Sequence, residues 1–299
     1  MSVKQFPVQK EYEKNSHIDP KDIKLIQTWL VQQPHLPQNI TDLEVILAYH
    51  SCESNIELTK RVIDLNYTLR TMFSFYSNRD INKSLEVAMN TWLITPLSTP
   101  TPKGHRAIYC QLLDEDPNKS VYKDAVRAFM MVMDLWQFEE GTAPGTVFIV
   151  NMDRVSLAHL TNVDVNVAQE FFYFVQEAMF INLKEFHFIN APSYIDKLLN
   201  LIKPLMKMDT FNLLKVHTVG SQTLEEYVPL DALPKEAGGN NKDSYELRDA
   251  IWNKIRLNKE FFEAESLKRV DESKRPDGPK TISSIFPSVE GSFKKLNID

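Results

Sequence analysis

Residues 185–215 read EFHFINAPSYIDKLLNLIKPLMKMDTFNLLK, and the change of period inside this run decides the fold. Glu185 to Asn190 alternate as a strand does, with Phe186 and Phe188 on one side and His187 and Ile189 on the other. Pro192 closes the strand. From Ser193 the apolar residues Ile195, Leu198, Leu199, Ile202, Leu205 and Met206 follow at steps of 3, 1, 3, 3 and 1, one stripe of a helix behind a capping-type serine. Tyr194, Leu201 and Met208 widen the stripe, and Pro204 predicts a kink or the end of its first half. A helix apolar over so much of its circumference buries both sides, or buries one and shows the other to something that is not water. Two readings stand. One is a core helix between the sheet and neighbouring helices. The other is a movable cover over an apolar cavity that also lies on a membrane, where Lys197, Lys203 and Lys207 meet anionic headgroups.

Upstream and downstream of this run, strands alternate with helices from Arg106 onward, which predicts an α/β layer on a largely parallel sheet. The first strand is RAIYCQLLD, at 106–114. A helix over about 120–137 follows, rich in methionine at Met130, Met131 and Met133. TVFIVNMD at 146–153 is a continuous apolar strand of the kind buried on both faces, and its alternation puts Phe148, Val150 and Met152 on one face. The helix over about 165–181 carries Phe171, Phe172, Tyr173 and Phe174 in succession, so one side packs on the sheet and another needs a second apolar partner. After the opening run come a strand at 214–220, a short helix near 224–228 and a last helix over 244–265.

The N-terminal region reads as helices alone. Asp19 caps a helix with Pro20 at its first position and Ile23, Ile26, Trp29 and Leu30 inward. Thr41 with Glu44, and Ser54 with Glu57, form capping boxes, and the second opens a helix whose inward face is Leu58, Val62, Leu65, Leu69 and Phe73. A further helix carries Leu85, Met89 and Trp92, and Pro96 to Pro102 reads as a linker. The expected organisation is a helical domain at 1–95, an α/β domain at 96–265 and a tail at 266–299 with Ile285, Phe286 and Phe293 as hooks onto the body.

INAPSYIDKLLNLIKP at 189–204, KVHTVGS at 215–221 and LPKEAGG at 233–239 together resemble the signature run of the CRAL-TRIO lipid-binding family. NYTLRTMFSFYSNRD at 66–80 is similar to the N-terminal helical region of its insect-type members. The resemblance implies an N-terminal helical bundle, a sheet of roughly four or five strands and a mobile gate helix containing Lys-Pro. It also implies binding and transfer of one hydrophobic small molecule, such as a tocopherol, retinoid or carotenoid, without covalent chemistry or a cofactor. Where the family carries several basic residues after Lys-Pro, this segment offers only Lys207 and Lys215. A transient membrane partner is implied, with phosphoinositides an open question. An adaptor working through protein contacts and a lipid-modifying α/β enzyme are the alternatives.

Composition bounds these readings. With 299 residues at 43% hydrophobic content the chain can bury a sizeable core, and a net charge of -6 argues against holding nucleic acid. The two cysteines, Cys52 and Cys110, have neither metal spacing nor disulfide density, and the first residues lack an apolar signal core, so a reducing cytoplasmic location is expected; the chain is also expected to be a monomer. Eight glycines supply no phosphate-binding loop and no G-x-S-x-G, and no two of the seven histidines share a helical face, so no catalytic or metal-ligating set is expected. His187 and His217 read as hydrogen-bonded strand residues. The expected pocket lining is Phe129, Met130 and Met133 from the methionine-rich helix, Phe148 and Val150 from the central strand, and Phe171 and Phe174 from the aromatic helix. Phe188, Ile195, Leu198, Leu199, Ile202 and Leu205 complete it, with Tyr109, Tyr173 and Tyr194 as candidates to orient a polar head group.

Overall fold

The computed structural model of the chain describes residues 2–286. Five strands form one sheet in sequential order: β1 (Trp92–Pro96), β2 (Arg106–Leu112), β3 (Thr146–Asn151), β4 (Leu183–Ala191) and β5 (Leu214–Thr218). β1 runs antiparallel to β2, and the other pairs are parallel. The short connection between β1 and β2 folds back through a turn in which Gly104 has a φ of +78°, a conformation that favours glycine. Parallel pairs need crossovers long enough to return the chain, and these are helical. Between β2 and β3 lies α6 (Tyr122–Glu140), and between β3 and β4 lie α7 (Leu157–Thr161) and α8 (Val165–Glu177). Between β4 and β5 lie α9 (Ile195–Ile202), a 3-10 turn (Lys203–Leu205) and α10 (Met208–Phe211).

The strand alternation sorts the sheet into two faces. Ile94, Ile108, Phe148, Met152, Phe186 and Phe188 pack into one core with α6, α8 and α9. Leu93, Ala107, Tyr109, Val147, Ile149 and Ile189 form the other, capped by the 3-10 turns around Leu224, Ala232 and Leu233 and by Leu247. Sequential strand order with a uniform crossover hand puts the helices of all three crossovers on one side, and the second face is left to turns and the C-terminal region.

β1 was not expected. Trp92 ends a predicted helix and Pro96 opens a predicted linker, yet both belong to a strand. As an edge strand β1 tolerates a proline, whose missing N–H leaves no ladder bond unmade on the solvent side. The expected domain boundary at 95/96 therefore falls inside β1. Upstream stand α1 (Val8–Lys14), α2 (Pro20–Val31), α3 (Asp42–Ser51), α4 (Ile56–Met72) and α5 (Lys83–Thr91). The capping box at Thr41 and Glu44 is present. The α4 face differs from the expected stripe: Leu58 is exposed, while Ile63 and Tyr67 pack with α2 and α3 and Leu69 enters the sheet core. α4 is thus gripped from two sides, which a single inward stripe does not describe.

The expected last helix is two, α11 (Ser244–Leu257) and α12 (Lys259–Ser266). Asn258 between them turns its side chain onto backbone, accepting from Val3 N at 2.7 Å and donating to Lys254 O at 2.7 Å, which competes with helix continuation. In the tail Phe286 stacks on Phe73 and meets Tyr173 edge-on, with ring centres 5.9 and 4.6 Å apart. Phe293 lies outside the described residues.

Candidate functional site

A cavity of about 200 Å³ sits between the helical face of the sheet and α9. Its floor is Trp92 and Ile94 of β1, Cys110 of β2, Phe148 and Val150 of β3 with Met152 just after it, and Phe186 and Phe188 of β4. These are the same-face residues of four adjacent strands, so period-2 alternation alone assembles them. The walls are Tyr122, Ala125, Val126 and Phe129 from α6, and Ala168, Phe171 and Phe172 from α8. Leu198 and Ile202 of α9 close the top. One end is formed by Ser120 and by the segment around α7, with Val155, His159, Leu160, Asn162 and Val163.

Aromatic rings make the walls continuous. Phe129 meets Phe148 and Phe171 edge-on at 5.2 and 5.7 Å, Phe148 meets Phe186 edge-on at 5.7 Å, and Phe186 stacks on Phe188 at 5.0 Å. Such contacts hold the rings in place and leave apolar edges toward the space.

Of the residues expected from sequence, Phe129, Phe148, Val150, Phe171, Phe188, Leu198 and Ile202 face this cavity. Met130 is buried on the neighbouring stripe of α6, and Met133 lines a separate, more polar cavity with Lys14, His50 and Trp136. The α6 stripe that reaches the site is Tyr122, Val126 and Phe129, spaced 4 and 3. Phe174 turns away from the sheet onto Phe75 and Tyr76. Ile195, Leu199 and Leu205 pack on the surrounding core.

The three tyrosines take other places. Tyr109 lies on the opposite sheet face, where its hydroxyl donates to Gln111 Oε1 at 2.9 Å and accepts from Asn151 Nδ2 at 2.8 Å. An odd-numbered β2 residue must point away from Ile108 and Cys110. Tyr194 donates to the carbonyl of Val155, tying the start of α9 to the loop after β3. Tyr173 meets Phe286. Sequence reasoning missed the β1 residues because it read no strand there, and missed α7 because five residues carry no usable period.

Polar groups are few and concentrated at the α7 end. Trp92 Nε1 donates to Ser120 Oγ at 3.0 Å. His159 folds back on Ser156, and burial lowers its pKa. Burial raises the Tyr122 hydroxyl, with Asp164 adding to it, and pushes the Cys110 thiol up to about 12, so the sulfur stays a thiol at neutral pH. On the far sheet face His187 and His217 come together at 2.9 Å, His187 also meeting Glu185 and His217 meeting Thr223, as hydrogen-bonded strand residues. No group of three or more His, Cys, Asp or Glu among the described residues is placed to hold a metal ion.

The α9 to α10 segment is a string of short pieces. Its predicted single helix breaks where Pro204 falls, in the 3-10 turn, and the cap is Tyr194 rather than Ser193. Asp196, Lys197, Asn200, Lys203 and Pro204 face solvent, as does Met208 at 63% exposure. Lys203 lies 5.5 Å from the Phe211 ring centre, and Lys207 pairs with Glu177. No helix among the described residues is long and apolar enough to cross a membrane.

Comparison with known proteins agrees with this architecture. A profile described as "CRAL/TRIO domain" matches residues 91–239, and one described as "Pinta-like, UBA domain" matches residues 15–85. A mouse (Mus musculus) protein named "Alpha-tocopherol transfer protein-like" is 26% identical over 175 residues, covering 58% of this chain and 50% of that protein. The human (Homo sapiens) protein of the same name is 24% identical over 216 residues, 72% of this chain and 57% of its own length. Clavesin-1 of Xenopus laevis is 23% identical over 137 residues, 46% of this chain and 41% of that protein. The chain thus spans about half the length of the curated relatives it matches. Among solved structures, one titled "Crystal structure of Sfh5" aligns over 80% of this chain and 99% of that one at a TM-score of 0.42 and 14% identity, too distant to carry an argument. With α2 to α4 inside one matched segment and the β1 edge strand and the whole parallel sheet inside the other, the chain carries a CRAL/TRIO domain over residues 91–239.

Proposed function

We propose that the chain binds one apolar small molecule in the cavity beneath α9 and passes it between membranes. The carrying observation is the cavity itself: four strands and four helices contribute side chains that are almost all hydrocarbon or aromatic, in a family whose members bind lipophilic ligands and transfer them. Burying ligand surface there is worth roughly 2.5 kcal/mol per 100 Å². The names of the relatives direct the search for the ligand toward tocopherol-like molecules.

At about 200 Å³ the space is below the roughly 300–1,000 Å³ of typical small-molecule sites, so a full-sized lipid enters by displacing a wall. α9 is the wall with the least behind it. Its outer side faces solvent, it is eight residues long, and a proline-containing turn follows it. Swung outward, it offers Leu198 and Ile202 to a bilayer beside the exposed Met208, with Lys197 and Lys203 at the headgroups. The membrane contact is mainly apolar, the protein works as a monomer, and its two free cysteines fit a reducing cytoplasm.

Filling the cavity tests the site. Val150→Phe adds bulk at the centre of the floor. It should weaken binding of diphenylhexatriene, an apolar fluorescent hydrocarbon, by at least about tenfold while thermal melting stays within a few degrees. Unchanged binding in a folded variant would place the probe, and the function, elsewhere.

A further inference from the structure

His159 is 7% exposed and lines the α7 end of the cavity, and its Nε2 has no hydrogen-bond partner. The state of that nitrogen follows from the other one. Nδ1 lies 3.1 Å from the backbone N–H of Ser156 and 2.8 Å from Ser156 Oγ. A backbone N–H can only donate, so Nδ1 accepts and carries no proton. Burial keeps the ring neutral at pH 7, and a neutral imidazole with a bare Nδ1 carries its proton on Nε2. An N–H donor left unmatched in an apolar wall is costly, and such groups are normally satisfied by water or a ligand.

Of the neighbouring polar groups two are already engaged, and the Tyr122 hydroxyl, which lines the same cavity, is the remaining competitor. Trp92 Nε1 is taken up by Ser120 Oγ, and Asn162 donates to Pro117 O at 2.9 Å from an exposed position. We propose that the Nε2–H of His159 receives the ligand's head group, so that the ligand class is an apolar molecule with one acceptor oxygen at one end and no required donor. This rests on the cavity being the ligand site and adds the chemistry by which it chooses. A ketone, aldehyde or ether satisfies His159 as well as an alcohol does, whereas a pure hydrocarbon leaves it unpaired.

The test uses the full chain and two matched probes, 2-octadecanone and octadecane, each displacing diphenylhexatriene. The readout is the ratio of their affinities in the wild type divided by the same ratio in a variant, which cancels the different solvation of the two probes. The wild type should prefer the ketone by about 3- to 10-fold relative to His159→Leu, and His159→Gln, which keeps an N–H donor, should recover part of that preference. Thermal melting of each variant checks that the loss of the Ser156 contact has not unfolded the α7 end. Should His159→Leu fold poorly, the His159→Gln comparison and a ketone series with the carbonyl moved along the chain carry the test. Equal ratios in wild type and His159→Leu would overturn the assignment and leave Nε2 to water. A preference lost in Tyr122→Phe but kept in His159→Leu would also overturn it. Failure of both probes to displace diphenylhexatriene from any variant would remove the cavity reading itself, a different outcome from equal ratios.

Discussion

Ile202→Asp separates a gate from a core helix, and the structure gives the size of the effect. Ile202 is 4% exposed and closes the cavity from α9, two residues before Pro204. Removing its buried side chain costs about 1.5–3 kcal/mol. The new carboxyl group sits against Phe and Leu side chains with no cation lining the cavity. It neutralises instead of ionising there. Holding it protonated at pH 7, about three units above the ordinary value of an aspartate, costs about 4 kcal/mol more. The sum, about 6 kcal/mol, is comparable to the whole stability of a typical domain, about 5–15 kcal/mol. If α9 is fixed in the core, the protein pays that cost in full and melts tens of degrees lower or fails to fold. If α9 swings, the aspartate escapes to water and the cost is capped at the free energy of opening. The expected result is a folded variant, melting within several degrees of wild type, that moves a fluorescent lipid between vesicles at less than about a tenth of the wild-type rate. Both quantities come from one preparation. An unfolded variant would return α9 to the core, and a folded variant with normal transfer would remove the gate.

Three further outcomes follow from the described geometry. Asp134 is buried between Arg70, at 2.6 Å, and Arg79, and Asp134→Ala leaves the buried Arg79 and the partly buried Arg70 each short of a partner; urea unfolding should show a loss of about 3–5 kcal/mol, and a loss under 1 kcal/mol would show the cluster to be dispensable. His187 is buried against His217, and burial, its largest influence, lowers its pKa to about 4; the unfolded chain, near 6.5, then binds a proton that the folded one refuses. Stability should be full above pH 6.5 and fall by at most about 3 kcal/mol between pH 6.5 and 4. Urea midpoints across that window should slope more steeply for wild type than for His187→Gln, and identical slopes would contradict the account. Vesicle binding should persist through moderate salt and drop more with Met208→Ser than with Lys203→Ala, because Lys207 is already paired with Glu177 and the surface that opening α9 offers, Leu198 and Ile202 beside the exposed Met208, is apolar. Binding that vanishes at moderate salt and returns only with phosphoinositides would reverse that order.

Sequence periodicity reached furthest where one physical rule set the outcome. Period-2 alternation placed Phe148, Val150 and Met152 on one face, and Phe186 and Phe188 beside them, because a pleated strand allows nothing else. It did not say which face the helices cover, which is why Tyr109 was offered to the pocket although it stands on the other side. Helical stripes were less certain guides. On α6 the methionines drew attention, but packing density turned Met130 into the core and left the Tyr122, Val126 and Phe129 stripe to the cavity. On α4, burial from two sides overrode the simple inward face. The α7 end was hidden for a different reason. His159 matters through a five-residue helix and a backbone contact to Ser156, and neither leaves a periodic trace in the sequence.

The most direct measurement is organic extraction of the purified full chain, followed by mass spectrometry of what is released and native mass spectrometry of what remains bound. The account predicts one apolar molecule per chain, carrying an acceptor oxygen at one end, in the wild type and its loss from Val150→Phe. A wild-type protein that emerges empty, and stays empty after incubation with tocopherol- or retinoid-loaded vesicles, would contradict the ligand-carrying role and favour a protein that uses this fold for contacts with other proteins.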